Sequence, residues 1–407
     1  MTPLWLSHFT ATSSIGCGLA QTLDSLRQRR GGLAPCAFDT VDLPTFVGEV
    51  AGVDALRMPA HLADHDCRNN RLALLGLTQD GFDEAVRAAS AKYGVERVGL
   101  FLGTSTSGIL QTEFAYRRRD PVTGALPADF DYRRTHNTFS VADFARRYFG
   151  LSGPAVVVSS ACSSSAKVFA SARRMMATGL IDAAVVGGVD SLCLTTLYGF
   201  NSLGLIAEQA CRPFDAQRNG ISIGEAAAFA LLERPPADLD DDAVLLLGVG
   251  ESSDAYHMSS PHPDGLGARM AMQGALSMAG LQPSEIDYIN LHGTATQSND
   301  AAEAKAVGQL FGRAAPCSST KGATGHTLGA AGGVEAVICA LALRHGLLPA
   351  GLNTRQLDPA LGLDYLLENR EQPVSRVLSN SFGFGGTNCS LVFGRAGSLE
   401  NTVEEKP

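Results

Sequence analysis

The chain has 407 residues, 45% of them hydrophobic and 18% charged, and it carries 44 glycines and nine cysteines. That length passes the roughly 250–300 residues at which a single core stops growing, and the composition excludes a disordered or fibrous chain, so a compact α/β protein with two packed halves is expected. A formal net charge of −9 argues against nucleic acid as the main partner, and nine scattered cysteines with no C-x-x-C argue against a disulfide framework or a zinc site and for a reducing, cytoplasmic setting.

The N-terminus, MTPLWLSHFTATSSIG, lacks a basic start, and no stretch reaches 18 uninterrupted apolar residues, so neither a signal peptide nor a membrane span is expected. A strand at residues 3–9 leads through a glycine turn at 14–18 to a helix over 19–29. After a polar loop with Pro35, Pro44 and Pro59, the pattern predicts a helix over 68–91 and a buried strand over 95–103 that ends in hydroxyls and glycine at 104–108. Residues 111–139 are polar, basic and aromatic and read as an excursion over the surface or across a subunit boundary. A helix follows over 140–149.

The stretch VVVSSACSSSAKVFASARR, Val156 to Arg174, begins as a β-branched strand and ends as an alanine-rich helix, which puts Cys162 at a strand-to-helix junction. The positive end of that helix is worth roughly 0.3–1 kcal/mol to an anion, under about one pKa unit, so a thiolate there needs a second group. The plain alternative is a buried structural cysteine. A core strand over 181–190, an apolar segment over 192–205, a turn-rich loop over 211–224 and a strand over 226–233 complete the first half.

The run PPADLDDD at 235–242 is the best boundary in the chain. We divide it into an N-terminal half at 1–236, a C-terminal half at 243–398 and a flexible tail at 399–407. The second half predicts strands over 243–250 and 286–291, helices over 267–279, 299–311 and 332–345, and closing strands over 376–380 and 389–393. The similar element order suggests an internal duplication, without a residue-level repeat.

Three polar patches of the second half lie where strands end: HGTAT from His292, KGATGH from Lys321 to His326, and NSFGFGGTN from Asn380. In open α/β sheets such ends converge on one crevice. One cysteine and two histidines brought together there make a nucleophilic site, although a strand-end histidine taken alone is more often a hydrogen-bonded structural residue.

Together with SACSS at 160–164 and EAAAFALLE at 225–233, these patches resemble the elongating β-ketoacyl-[acyl-carrier-protein] synthases of the thiolase superfamily, over nearly the whole chain. The resemblance implies a duplicated five-layered α/β/α/β/α fold with two central mixed sheets, paired as a homodimer or as a heterodimer with a related subunit. It implies decarboxylative condensation of malonyl-acyl-carrier protein with an acyl group held on Cys162. His292 and His326 would bind the malonyl carbonyl oxygen, and Lys321 would hold the site in register with Glu303 as its ion-pair partner. The backbone N–H groups of Cys162 and Phe384 would form an oxyanion hole, and the Phe384 ring between glycines would gate the acyl pocket.

Glu303 also reads as a solvated helix residue and Phe384 as a core aromatic, a role that suits Phe382 better. No tightly bound cofactor and no metal are expected, since substrates arrive on the phosphopantetheine arm of the carrier protein. From charge alone, Arg68, Arg71, the arginines at 117–119 and those at 133–134 are candidates to meet that acidic partner. HGTATQSND is reminiscent of synthases from aryl-polyene pigment clusters. The rival readings are a non-catalytic chain-length subunit and a thiolase-like coenzyme A enzyme; the retained Cys162, His292, His326 and Lys321 oppose the first and the paired histidines the second.

Overall fold

The computed structural model describes residues 2–398. Ten strands carry the architecture. In the first half they are β1 (Leu4–Ser13), β2 (Val98–Gly103), β3 (Ala155–Val158), β4 (Ala183–Asp190) and β5 (Ala226–Glu233), laid side by side as β1-β5-β4-β2-β3. In the second half they are β6 (Val244–Ser253), β7 (Tyr288–Asn290), β8 (Cys317–Ser318), β9 (Arg376–Gly383) and β10 (Thr387–Arg395), ordered β6-β10-β9-β7-β8. The two orders are the same. In each, the last strand runs antiparallel between the first strand and a parallel block. The two mixed sheets are joined where β1 meets β6 through Leu4 opposite Leu246 and Trp5 opposite Leu245.

Two helices at matching places, Ser164–Ala177 after β3 and Ala331–His345 after β8, fill the layer between the sheets and touch both of them. The second is buried from Ala331 to Leu343, as a helix apolar on every side must be. With the turn before it, this helix is long and apolar enough to cross a membrane, but 89% of the stretch lies inside the core. Phe169 and Phe393 meet edge to face there at 6.0 Å. Helices 68–77, 82–93 and 140–149 cover the outer face of the first sheet, and helix 266–279, backed by 297–311, covers that of the second. Counting across gives the five-layered α/β/α/β/α order.

Several elements differ from the sequence expectation. The helix over 68–91 is two helices, Arg68–Leu77 and Phe82–Tyr93, broken where Asp80 and Gly81 take φ of +55° and +69°. The Asp80 carboxylate accepts from Thr10 Oγ1 at 2.7 Å and from the Leu19 N–H, which fixes the break. The 111–139 excursion starts with a helix, Ile109–Arg117, and the apolar segment 192–205 contains another, Leu194–Ser202. The 399–407 tail lies outside the described residues.

Candidate active site

The junction after β3 is a tight turn. Ala161 takes a left-handed φ of +52°, uncommon for a residue with a side chain, and Cys162 lies two residues before the first helical position, Ser164. Ser164 Oγ donates to the Ala161 carbonyl at 2.6 Å, and Ser163 Oγ bonds Thr387 Oγ1 at 2.8 Å, which ties the turn to the opposite half. Cys162 itself is buried.

The two histidines follow the C-terminal ends of β7 and β8. His326 Nε2 lies 3.0 Å from Cys162 Sγ, and the two imidazoles meet edge to face at 5.3 Å. Their orientation is set from behind. The Leu328 N–H donates to His326 Nδ1 at 3.2 Å, and Lys321 Nζ lies 3.3 Å from His292 Nδ1 while donating to the His292 carbonyl at 2.6 Å. With both Nδ1 atoms accepting, each neutral ring carries its proton on Nε2, on the side that faces the cavity. Burial, reinforced by the Lys321 charge, holds both histidines well below their usual pKa, so they stay neutral donors.

Burial also pushes the Cys162 thiol up to about 11, opposed by the Lys321 charge and by the Phe384 N–H, which bonds the sulfur. The sulfur and the two ring nitrogens lie within 4.8 Å of one another, a spacing that would suit a soft metal ion. Protons on both Nε2 atoms leave no lone pair there to offer.

The ion-pair expectation for Lys321 needs correction. Its partner is Glu335, on the inner helix, and with the two contacts to His292 this uses all three ammonium protons. Glu335 also accepts from Ser381 Oγ at 3.4 Å. Glu303 is no solvated helix residue either. It is buried and accepts from the N–H groups of His292 and Gly293, each at 2.8 Å, and from Asn380 Nδ2 at 3.1 Å. The family resemblance put Glu303 near the site but could not tell a backbone clamp from an ion pair. Glu335 was missed because it stands in an apolar helical run as the one charged residue before Arg344.

Phe384 is half-buried against Phe200, ring centres 5.5 Å apart, on a loop where Gly385 and Gly386 take φ of +81° and +74°. Phe382 is buried with its edge toward the His292 ring at 5.9 Å. Cys162, His292, His326, Phe200, Phe382 and Phe384 all line one cavity, whose free volume is about 50 Å³. That is far below the roughly 300 Å³ or more of a ligand-filled pocket.

Among the arginines proposed for a carrier, Arg68 is corrected outright. It is buried and bound to Glu225, with Asp54 and Glu49 beside it. Arg71 is held by Asp66, Arg117 by Asp39, Arg118 by Asp129 and Arg134 by Asp64. Most of these pairs border a surface groove of about 1110 Å³ that none of the cavity residues named above touches. Only Arg119 and Arg133, both exposed, have no carboxylate partner among the described residues.

Sheets of this order, with a cysteine and two histidines at the strand ends, define a thiolase-like condensing-enzyme fold. The family model "Beta-ketoacyl synthase, N-terminal domain" matches residues 76–237, and "Beta-ketoacyl synthase, C-terminal domain" matches residues 243–355. Nodulation protein E of Rhizobium meliloti is 33% identical over 403 residues, covering 93% of this chain and 96% of that protein. The mitochondrial 3-oxoacyl-[acyl-carrier-protein] synthase of Arabidopsis thaliana is 40% identical over 263 residues, 60% of this chain, and the match spans 57% of the relative's length. A chain from the solved complex of a ketosynthase with its chain length factor from Xenorhabdus doucetiae superposes with a TM-score of 0.88 at 38% identity, covering 97% of this chain and 98% of that one. The chain belongs to the β-ketoacyl synthase family.

Proposed function

We propose that the protein catalyses decarboxylative condensation of a malonyl thioester with an acyl group carried on Cys162, with both substrates delivered by acyl carrier protein. The observation that carries this reading is the gathering of the Cys162 sulfur and the two histidine rings around one narrow, mostly apolar cavity, with His326 Nε2 3.0 Å from the sulfur and the His292 ring beside it. The sulfur attacks the carbonyl carbon of the acyl thioester, the bond to the carrier's phosphopantetheine sulfur breaks, and the carrier thiol leaves with the cysteine's proton. The malonyl group then enters with its thioester oxygen between His292 and His326. Loss of CO2 leaves its electron pair in an enolate held by those two donors, each worth about 3 kcal/mol on the scale of an oxyanion-hole donor. The enolate carbon attacks the acyl carbon, and the released thiolate takes up a proton.

In this reading the Phe384 N–H, already on the sulfur, and the Cys162 N–H hold the acyl oxyanion. The Phe384 ring swings off Phe200 to admit the chain, because a cavity of about 50 Å³ cannot hold an acyl group. Lys321, paired with Glu335, and Glu303 position His292. We place the division of the chain at 236–243, supported by the repeated strand order on either side. The solved relatives pair a ketosynthase with a chain length factor; for this chain we propose the catalytic member of such a pair, or a homodimer. Carrier contact falls to Arg119 and Arg133. Nine unpaired cysteines support a reducing compartment. The aryl-polyene assignment rests on HGTATQSND alone.

Incubation with malonyl-carrier and a panel of acyl-carriers, read by intact mass, tests the proposal. Cys162→Ala is expected to form no acyl adduct, and His326→Ala to acylate yet give no condensed product. An acylated Cys162→Ala protein would overturn it.

A further inference from the structure

Asp190, the last residue of β4, is wholly buried and is not among the residues that line the cavity. Its Oδ1 accepts from Thr104 Oγ1 and the Ser105 N–H, both at 2.7 Å, from the Thr106 N–H at 2.9 Å and from Thr106 Oγ1 at 3.0 Å. Its Oδ2 accepts from Ser105 Oγ and from the Gly329 N–H, the latter at 2.6 Å. Five of these donors come from the end of β2. The sixth comes from the other half of the chain, three residues after His326.

That sixth bond reaches the chemistry through a short chain of contacts. Residues 327–330 form a turn in which Leu328 takes φ of +51°, a strained value for a residue with a side chain. The Leu328 N–H is the group that donates to His326 Nδ1. A Cβ at Gly329 would come within 2.7 Å of the Ser105 nitrogen and 2.8 Å of Asp190 Oδ2, so the turn is pressed onto the clamp. We infer that Asp190 is a positioning residue: by gripping the Gly329 N–H it holds the strained turn that fixes His326 as the Nε2–H tautomer facing Cys162. The inference rests on the condensing reading only for its kinetic consequence; the tautomer itself is independent of it.

Asp190→Asn removes the bond together with the carboxylate charge, which also acts on the Cys162 thiol, so Cys162 acylation is followed beside it. With the amide oxygen kept toward the four donors on the Oδ1 side, the NH2 faces Ser105 and Gly329. The serine hydroxyl turns to accept, whereas the Gly329 N–H has nothing to donate to and the turn is released. The measurement is ¹⁵N NMR of histidine-labelled protein, with the His326 signals assigned by their loss in His326→Ala, beside malonyl-carrier decarboxylation and Cys162 acylation.

Wild type is expected to show Nδ1 unprotonated and Nε2 protonated. Asp190→Asn is expected to populate the other tautomer and to lose about 100-fold in kcat for decarboxylation, with KM and the acylation rate within about threefold. Ser105→Ala, which leaves the Gly329 bond in place, is expected to keep the wild-type tautomer and kcat within about threefold. An Nδ1–H His326 in wild type overturns the inference even if Asp190→Asn does not fold. So does an Asp190→Asn protein that keeps the wild-type tautomer, or Ser105→Ala losing as much as Asp190→Asn. A wild type that shows the expected tautomer but no decarboxylation sinks the condensing reading instead.

Discussion

At Cys162 the helix terminus is outweighed by desolvation. A raised thiol pKa favours the neutral form, so at neutral pH the closed site holds a thiol, and the thiolate fraction grows as pH rises toward about 11. The second-order rate of iodoacetamide alkylation at Cys162 is therefore expected to climb close to tenfold per pH unit between about pH 7 and 10. A plateau near pH 7 would mean that the resting site holds a thiolate. The Lys321 pairing gives a second prediction at this scale. Glu335→Ala leaves a buried ammonium without its counter-ion and is expected to cost about 3–5 kcal/mol in chemical denaturation, with Glu335→Gln milder. A cost below about 1 kcal/mol for Glu335→Ala would show that Glu335 is not the counter-ion of Lys321.

At the scale of the element, the turn after β7 depends on one carboxylate. Glu303 accepts both N–H groups at its start, and burial raises its pKa to about 7 against those hydrogen bonds. As pH falls through about 7 the group takes a proton and gives up part of that clamp. Condensation is expected to fall on the acid side with an apparent pKa near 7, while acylation of Cys162 lacks that limb; Glu303→Gln should lose the limb and hold a low, pH-flat rate. The linkage sign follows from the raised value: this group's contribution to stability is fully present below its ordinary 4.5 and is lost as pH rises through about 7. The paired histidines cannot supply the limb, since both are held well below 6.5.

For the whole molecule, β3 is the open end of the first sheet. The Leu100 N–H bonds the Pro154 carbonyl and the Thr104 N–H bonds the Val158 carbonyl, so by alternation Ala155 and Val157 turn their backbone groups outward. A second sheet can add there, as the proposed pairing requires. Val157→Pro removes an outward N–H while sparing the ladder to β2, and is expected to halve the mass seen by light scattering with little change in secondary structure. An unchanged mass would move the interface elsewhere. The arginines carry a related lesson: a cluster legible as positive charge is mostly spent on internal pairs, and Arg68 serves Glu225 inside the protein.

What could be read without coordinates was local or carried by motif. Alternating and helical patterns set most of the main strands and helices, because burial of one face leaves its period in the residues, but not the helices within 109–117 and 194–202 or the short strand at 317–318; the motifs pointed to the family and to the cysteine and histidines that the fold brings together. Pairing was beyond reach. Lys321 with Glu335, Glu303 with two backbone N–H groups, and Asp190 with Gly329 join segments 14, 11 and 139 residues apart. Such partners are chosen by where the sheets and inner helices bring side chains together. A carboxylate's neighbours, its burial and thus its role are properties of that packing, so only the folded chain decided them.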